Sequence, residues 1–99
     1  MNWASYAIEK LNRGEDAKLT PHGNSMTGRV NNGDTVIVSP CNPKNLNVGD
    51  IVLVKVKGTV YLHLIKAIGS RGFLIGNNKG GVNGWSKTIY GVVSKVEAK

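Results

Sequence analysis

Two side chains in this sequence have the chemistry of a hydrolytic pair. Ser25 stands in the turn-like run Pro21-His22-Gly23-Asn24-Ser25-Met26, and His63 stands in the apolar run Val60-Tyr61-Leu62-His63-Leu64-Ile65. A serine hydroxyl is a poor nucleophile near neutral pH and needs a base beside it. Histidine is a competent general base in that range. Taken singly, each residue also fits a plain role: a turn serine, and a strand histidine paired with a backbone carbonyl. Metal chemistry is not expected. The pool of soft ligands is His22, Cys41 and His63, with no C-x-x-C or H-x-x-x-H spacing, and no cofactor motif stands out.

The elements that must bring Ser25 and His63 together are mostly strands. The 99 residues suit one domain, residues 1–99, which can bury roughly 65 % of its unfolded surface. Thirteen glycines and several valine-rich runs point to β structure with many tight turns. Residues 2–12 read as one helix, with Asn2 as its cap, an apolar stripe of Trp3, Ala7, Ile8 and Leu11, and Gly14 ending it.

A β core is expected over residues 17–96. "AKLTPHG" reads as an edge strand because of Pro21. "DTVIVSP" and "DIVLVKVK" each open on a Gly-Asp pair, at Asp34 and Asp50, whose carboxylates should accept turn hydrogen bonds. In the second of these, Val52, Val54 and Val56 share one face, and Ile51 and Leu53 take the other. Lys57-Gly58 turns the chain into "VYLHLIKAI", predicting a hairpin. "GFLIG" and "TIYGVVSKV" follow, and "NNKGGVNGWS" between them reads as turn. The expectation is a mostly β fold of about six strands, a sandwich or partly closed barrel, with one short N-terminal helix. Strand alternation puts Lys66 on the face opposite His63. His22 is expected on the surface or in packing.

The formal net charge is +7, spread along the chain without runs of like charge. Such a basic protein can draw nucleic acid by long-range attraction, but the six aromatic residues are not interleaved with basic clusters as a base-stacking platform requires. The single cysteine excludes an internal disulfide. No apolar leader or run of membrane-spanning length occurs, the longest aliphatic run being residues 51–54. A soluble, cytoplasmic protein without a transmembrane segment is expected.

Read in order, "GNSM", "GDTVIV", "GDIVLVKV", "VYLHLI", "LIGNN" and "IYGVV" resemble the signal peptidase and LexA-type serine peptidase superfamily over roughly residues 19–96. The resemblance implies a LexA/signal-peptidase-like β fold, with Ser25 as nucleophile, its backbone N–H as one oxyanion donor, and Asn24 and Met26 lining the site. The base position on the hairpin's return strand, a lysine in LexA-type and bacterial signal peptidases, reads His63, as in archaeal and endoplasmic-reticulum signal peptidases. Histidine-using relatives orient the ring with an aspartate. Here the matching positions read Asn77 and Asn83, and no carboxylate lies between Asp50 and Glu97. Either asparagine can hold the ring through its side-chain carbonyl, as in papain-like proteases. Gly28 stands where the family often has proline.

The implied activity is that of a serine endopeptidase with a Ser25/His63 dyad acting on a protein or peptide partner. The Ala-Gly and Cys-Gly dipeptides at which LexA-type proteins cut themselves are absent, so self-cleavage is not expected. The alternative is an inactive binding module on the same fold, with nucleic acid or an extended peptide as partner.

Overall fold

A computed structural model describes residues 3–99. One helix, α1 (Ser5–Asn12), precedes seven strands: β1 (Ala17–Leu19), β2 (Thr35–Ser39), β3 (Ile51–Val56), β4 (Thr59–Gly69), β5 (Gly72–Gly76), β6 (Val82–Ser86) and β7 (Thr88–Glu97). The strands form one antiparallel sheet in the order β1-β2-β7-β3-β4-β5-β6. The fold is mostly β, as the sequence implies, and its seven strands lie in one open sheet with β1 and β6 at the edges.

Two sequence expectations need correction here. The segment read as turn contains β6, because Gly81 and Gly84 hide the alternation that would have marked a strand. The helix is shorter than residues 2–12. Ala4 stands at its N-cap with no side-chain cap bond, and the proposed cap, Asn2, lies outside the described residues. Its C-terminus closes as expected before Gly14: the Glu15 N–H donates to the Lys10 carbonyl (2.9 Å) and the Gly14 N–H to the Leu11 carbonyl (3.0 Å), the paired bonds of a Schellman motif.

The β3–β4 hairpin forms where the sequence places it. Lys57 and Gly58 both have positive φ, 50° and 86°, which is the backbone of a type I′ turn whose twist suits the flanking strands. The turn sets the register that pairs Val52 with His63 and Leu53 with Leu62. Both faces of β3 are buried. On one face Ile51 and Leu53 join Leu62, Leu64, Val36 and Val38 beneath α1, which contributes Ala7 and Leu11 and, at its N-cap, Ala4. On the other, Val52, Val54 and Val56 pack with Ile65, Phe73 and Ile75. The sheet curls over this second core, so that the Ser86 hydroxyl on β6 donates to the Lys55 carbonyl on β3 (2.6 Å).

Two bulges matter for the site. β4 and β5 slip between Ile65 and Ala67, leaving Lys66 as the extra residue. β5 and β6 slip where Ile75 pairs with Gly84 and Gly76 with Val82, leaving Asn83 as the extra residue. A bulge kinks its strand and re-aims a side chain. At the same place Gly76 lets the chain pass closely, since a Cβ there would lie 2.3 Å from the Gly81 carbonyl oxygen.

Candidate active site

Ser25 sits in the loop over residues 20–34, and asparagines hold that loop. The Asn32 side-chain oxygen accepts from the Gly23 N–H (2.8 Å), and that of Asn31 accepts from the Gly28 N–H (3.0 Å). The Met26 carbonyl accepts from the N–H groups of Arg29 and Val30 (2.9 and 2.8 Å). Asp34 closes the loop by accepting from the Asn31 N–H (2.9 Å), and Asp50 does the same for Asn47 in the matching loop (2.9 Å), as expected of both aspartates. The side chains of Met26 and Val30 are buried in the core. Ser25, one residue before this anchor, is left exposed. Met26 therefore serves as a floor under the loop, and Asn24 is exposed, with its carbonyl accepting from the Thr27 hydroxyl (2.8 Å).

His63 reaches Ser25 from β4. Its Nε2 lies 3.1 Å from the Ser25 Oγ, and its Nδ1 lies 2.7 Å from the Asn83 Oδ1. An amide oxygen only accepts, so the Nδ1–H donates to Asn83 and Nε2 is left with a lone pair facing the serine hydroxyl. Asn83 occupies this place because it is the bulged residue of β6. His63 is 7 % exposed, and its ring stacks on Tyr61, two residues back on the same face, with ring centroids 4.9 Å apart. Burial lowers the pKa of His63 below the ordinary value, the Asn83 hydrogen bond opposes this, and the charge of Lys66 adds to the lowering. The net lowering favours the neutral ring, the state a general base needs.

The second orienting candidate, Asn77, is occupied elsewhere. Its side-chain oxygen accepts from the N–H groups of Lys79 and Gly81 (both 2.8 Å), which fixes the β5–β6 connection rather than the imidazole. Its neighbour Asn78 has a role that residue type did not suggest. The Asn78 N–H donates to the Ser25 carbonyl (2.8 Å) and its side-chain amide to the Thr27 carbonyl (2.8 Å), so the β5–β6 connection clamps the serine loop while β6 delivers Asn83. Gly28 runs against this clamp. Its φ is 96°, and a Cβ at that position would lie 3.3 Å from the Asn78 side-chain nitrogen. His22 is exposed and lines the hollows beside Ser25. Among the described residues no group of His, Cys, Asp and Glu is arranged to hold a metal ion, and no helix is long and apolar enough to cross a membrane.

A family model of Peptidase S24-like proteins matches residues 3–84. The chain belongs to the Peptidase S24-like family. The match runs from the start of the described chain through the serine loop and the β3–β4 hairpin into β6, and so takes in Ser25, His63 and Asn83. The kinship with LexA-type and signal peptidases implied by the sequence is therefore shown for this S24-like chain. A comparison with curated proteins found no match.

Proposed function

We propose that this S24-like chain is a serine endopeptidase in which Ser25 is the nucleophile, His63 the general base and Asn83 the residue that positions the base. The observation that carries this reading is the continuous hydrogen-bonded line from Ser25 Oγ to His63 to Asn83, at 3.1 and 2.7 Å. As Ser25 Oγ attacks a peptide carbonyl, its proton passes to His63 Nε2. The electron pair of the carbonyl moves to oxygen, towards the Ser25 backbone N–H. Collapse breaks the C–N bond, and the imidazolium returns the proton to the leaving amine. Water then attacks the ester with the same base, releasing the acid and restoring Ser25. Asn83 keeps Nε2 aimed at Oγ through both steps.

The surroundings suit an extended peptide. β5 pairs with β4 only from Leu64 onward, and the Val60 carbonyl is taken by the Trp3 indole N–H, so residues 61–63 are the part of the β4 edge open beside Ser25, and a peptide can lie along it. The hollow lined by Pro21, Ser25, Met26, Val30 and Leu62 holds only about 30 Å³, which favours a small residue next to the bond cut.

The second reading is a binding module without catalysis. It is favoured by the neutral Asn83, which gives the developing imidazolium no opposite charge. Cleavage of a mixed peptide library tests the two. The peptidase reading expects cuts by the unchanged chain that vanish in Ser25→Ala and His63→Ala. Cleavage that persists in Ser25→Ala, or none by the unchanged chain, overturns it. Nucleic-acid binding that weakens steeply with salt and survives Ser25→Ala would favour the module.

A further inference from the structure

We propose that the groove between α1 and the start of the serine loop is a subsite for a large apolar side chain of the peptide substrate, at a fixed position removed from the bond that is cut. The proposal rests on the peptidase reading. The groove is lined by Trp3, Tyr6, Leu19, Thr20, Pro21 and His22 and has a volume of about 500 Å³, within the roughly 300–1,000 Å³ range of ligand pockets.

Three observations support it. The first is continuity. Trp3, Pro21 and His22 also line the smaller cleft that contains Ser25 and His63, so a chain lying at the serine runs on into the groove. The second is the state of the two aromatic residues. Trp3 and Tyr6 are 48 % and 52 % exposed, yet both are held. The Trp3 indole N–H donates to the Val60 carbonyl on β4 (3.4 Å), and the Tyr6 hydroxyl donates to the Lys18 carbonyl on β1. Their polar ends are satisfied while their apolar rings stay open, Tyr6 on α1 and Trp3 just before it, on a segment fixed by the buried Ala4, Ala7 and Leu11. Such rings bind without an ordering cost at the moment of contact. The third is charge. Among the described residues no carboxylate, ammonium or guanidinium lines the groove, so an uncharged apolar occupant fits it and a phosphate backbone does not.

The test uses a library of extended peptides, with every cut read by mass spectrometry. For the unchanged chain, the expected result is an enrichment of Phe, Trp, Tyr, Leu or Met at one position away from the cut, besides the small residue beside it. Trp3→Ala and Tyr6→Ala should each erase the remote preference while keeping the small-residue preference. On a peptide carrying the favoured side chain kcat/KM should fall roughly 10-fold or more, and by clearly less when that position is Ala. Cleavage with no remote apolar preference, or with one unaltered by both substitutions, overturns the subsite and leaves the peptidase reading standing.

A second measurement does not need turnover or a folded Trp3 variant. In Ser25→Ala, the Trp3 indole N–H resonance should shift on titration with an Ala-based peptide bearing one Phe, and not with the all-Ala peptide. If that shift occurs while no peptide is cut by the unchanged chain, the groove stands as a binding site for an apolar peptide side chain and the peptidase reading falls. A resonance unmoved by the Phe peptide, or one that moves with protein concentration alone, overturns the subsite and in the latter case gives the groove to a second copy of the chain.

Discussion

Replacing Asn83 by aspartate probes the weakest part of the proposed machinery with almost no change in shape. The amide oxygen of Asn83 already lies 2.7 Å from His63 Nδ1, so Asn83→Asp adds a charge to a bond that exists. In the unchanged chain, burial keeps the pKa of His63 below the ordinary value near 6.5, Asn83 opposing and Lys66 adding to the effect. A carboxylate within about 4–6 Å of a cationic partner typically shifts a pKa by roughly 1–3 units. Asn83 is only half-buried, so solvent screening favours the low end, about 1–2 kcal/mol of imidazolium stabilisation. In the proposed mechanism His63 carries its positive charge in the transition state, so this corresponds to roughly a 10-fold gain in acylation rate at alkaline pH. The sign on the acid side is opposite. The midpoint of the acid limb should lie below pH 6.5 in the unchanged chain and move upward in Asn83→Asp, so the gain shrinks as pH falls. The assay is the pH profile of Ser25 inactivation by a fluorophosphonate, which needs no knowledge of the substrate. A midpoint that stays put or moves down, in a variant with unchanged melting, would refute the place given to Asn83.

Three further outcomes follow from the same contacts. Folding stability should decline as pH falls below about 6.5, since the unfolded chain then binds a proton that buried His63 does not; this component should be absent from the melting profile of His63→Gln. Asn78→Ala removes the side-chain bond to the Thr27 carbonyl and should cost about 1 kcal/mol of stability while lowering the inactivation rate at all pH values, whereas Asn77→Ala should destabilise without moving the acid-limb midpoint. Leu53, fully buried between α1 and the sheet, should lose about 2–5 kcal/mol on truncation to alanine, read by denaturant unfolding.

Much of the fold was legible because local chemistry and long-range packing agree. The two Gly-Asp strand starts, the Lys57-Gly58 turn and the face assignment of Val52, Val54 and Val56 all rest on near-neighbour rules, and the sheet obeys them. β6 was hidden because its middle residue is glycine and its register is broken by a bulge, so no period of two survives in the sequence. At the site, residue type identified Ser25 and His63 as a chemically sensible pair, and the family resemblance offered Asn77 and Asn83 as equal partners for the ring. Only the bulge separates them, by turning Asn83 inward and leaving Asn77 to cap the turn at Lys79 and Gly81. Asn78 acts through its backbone N–H as well as its side chain, and a backbone role leaves no mark on sequence.

The central claim is that Ser25 is activated by His63 rather than merely adjacent to it. Intact mass after exposure to a fluorophosphonate, with the adduct mapped by peptide sequencing, tests this directly. One adduct is predicted, on Ser25, formed at neutral pH and lost in both Ser25→Ala and His63→Ala. An unmodified chain, or an adduct that forms equally fast in His63→Ala, would contradict the claim.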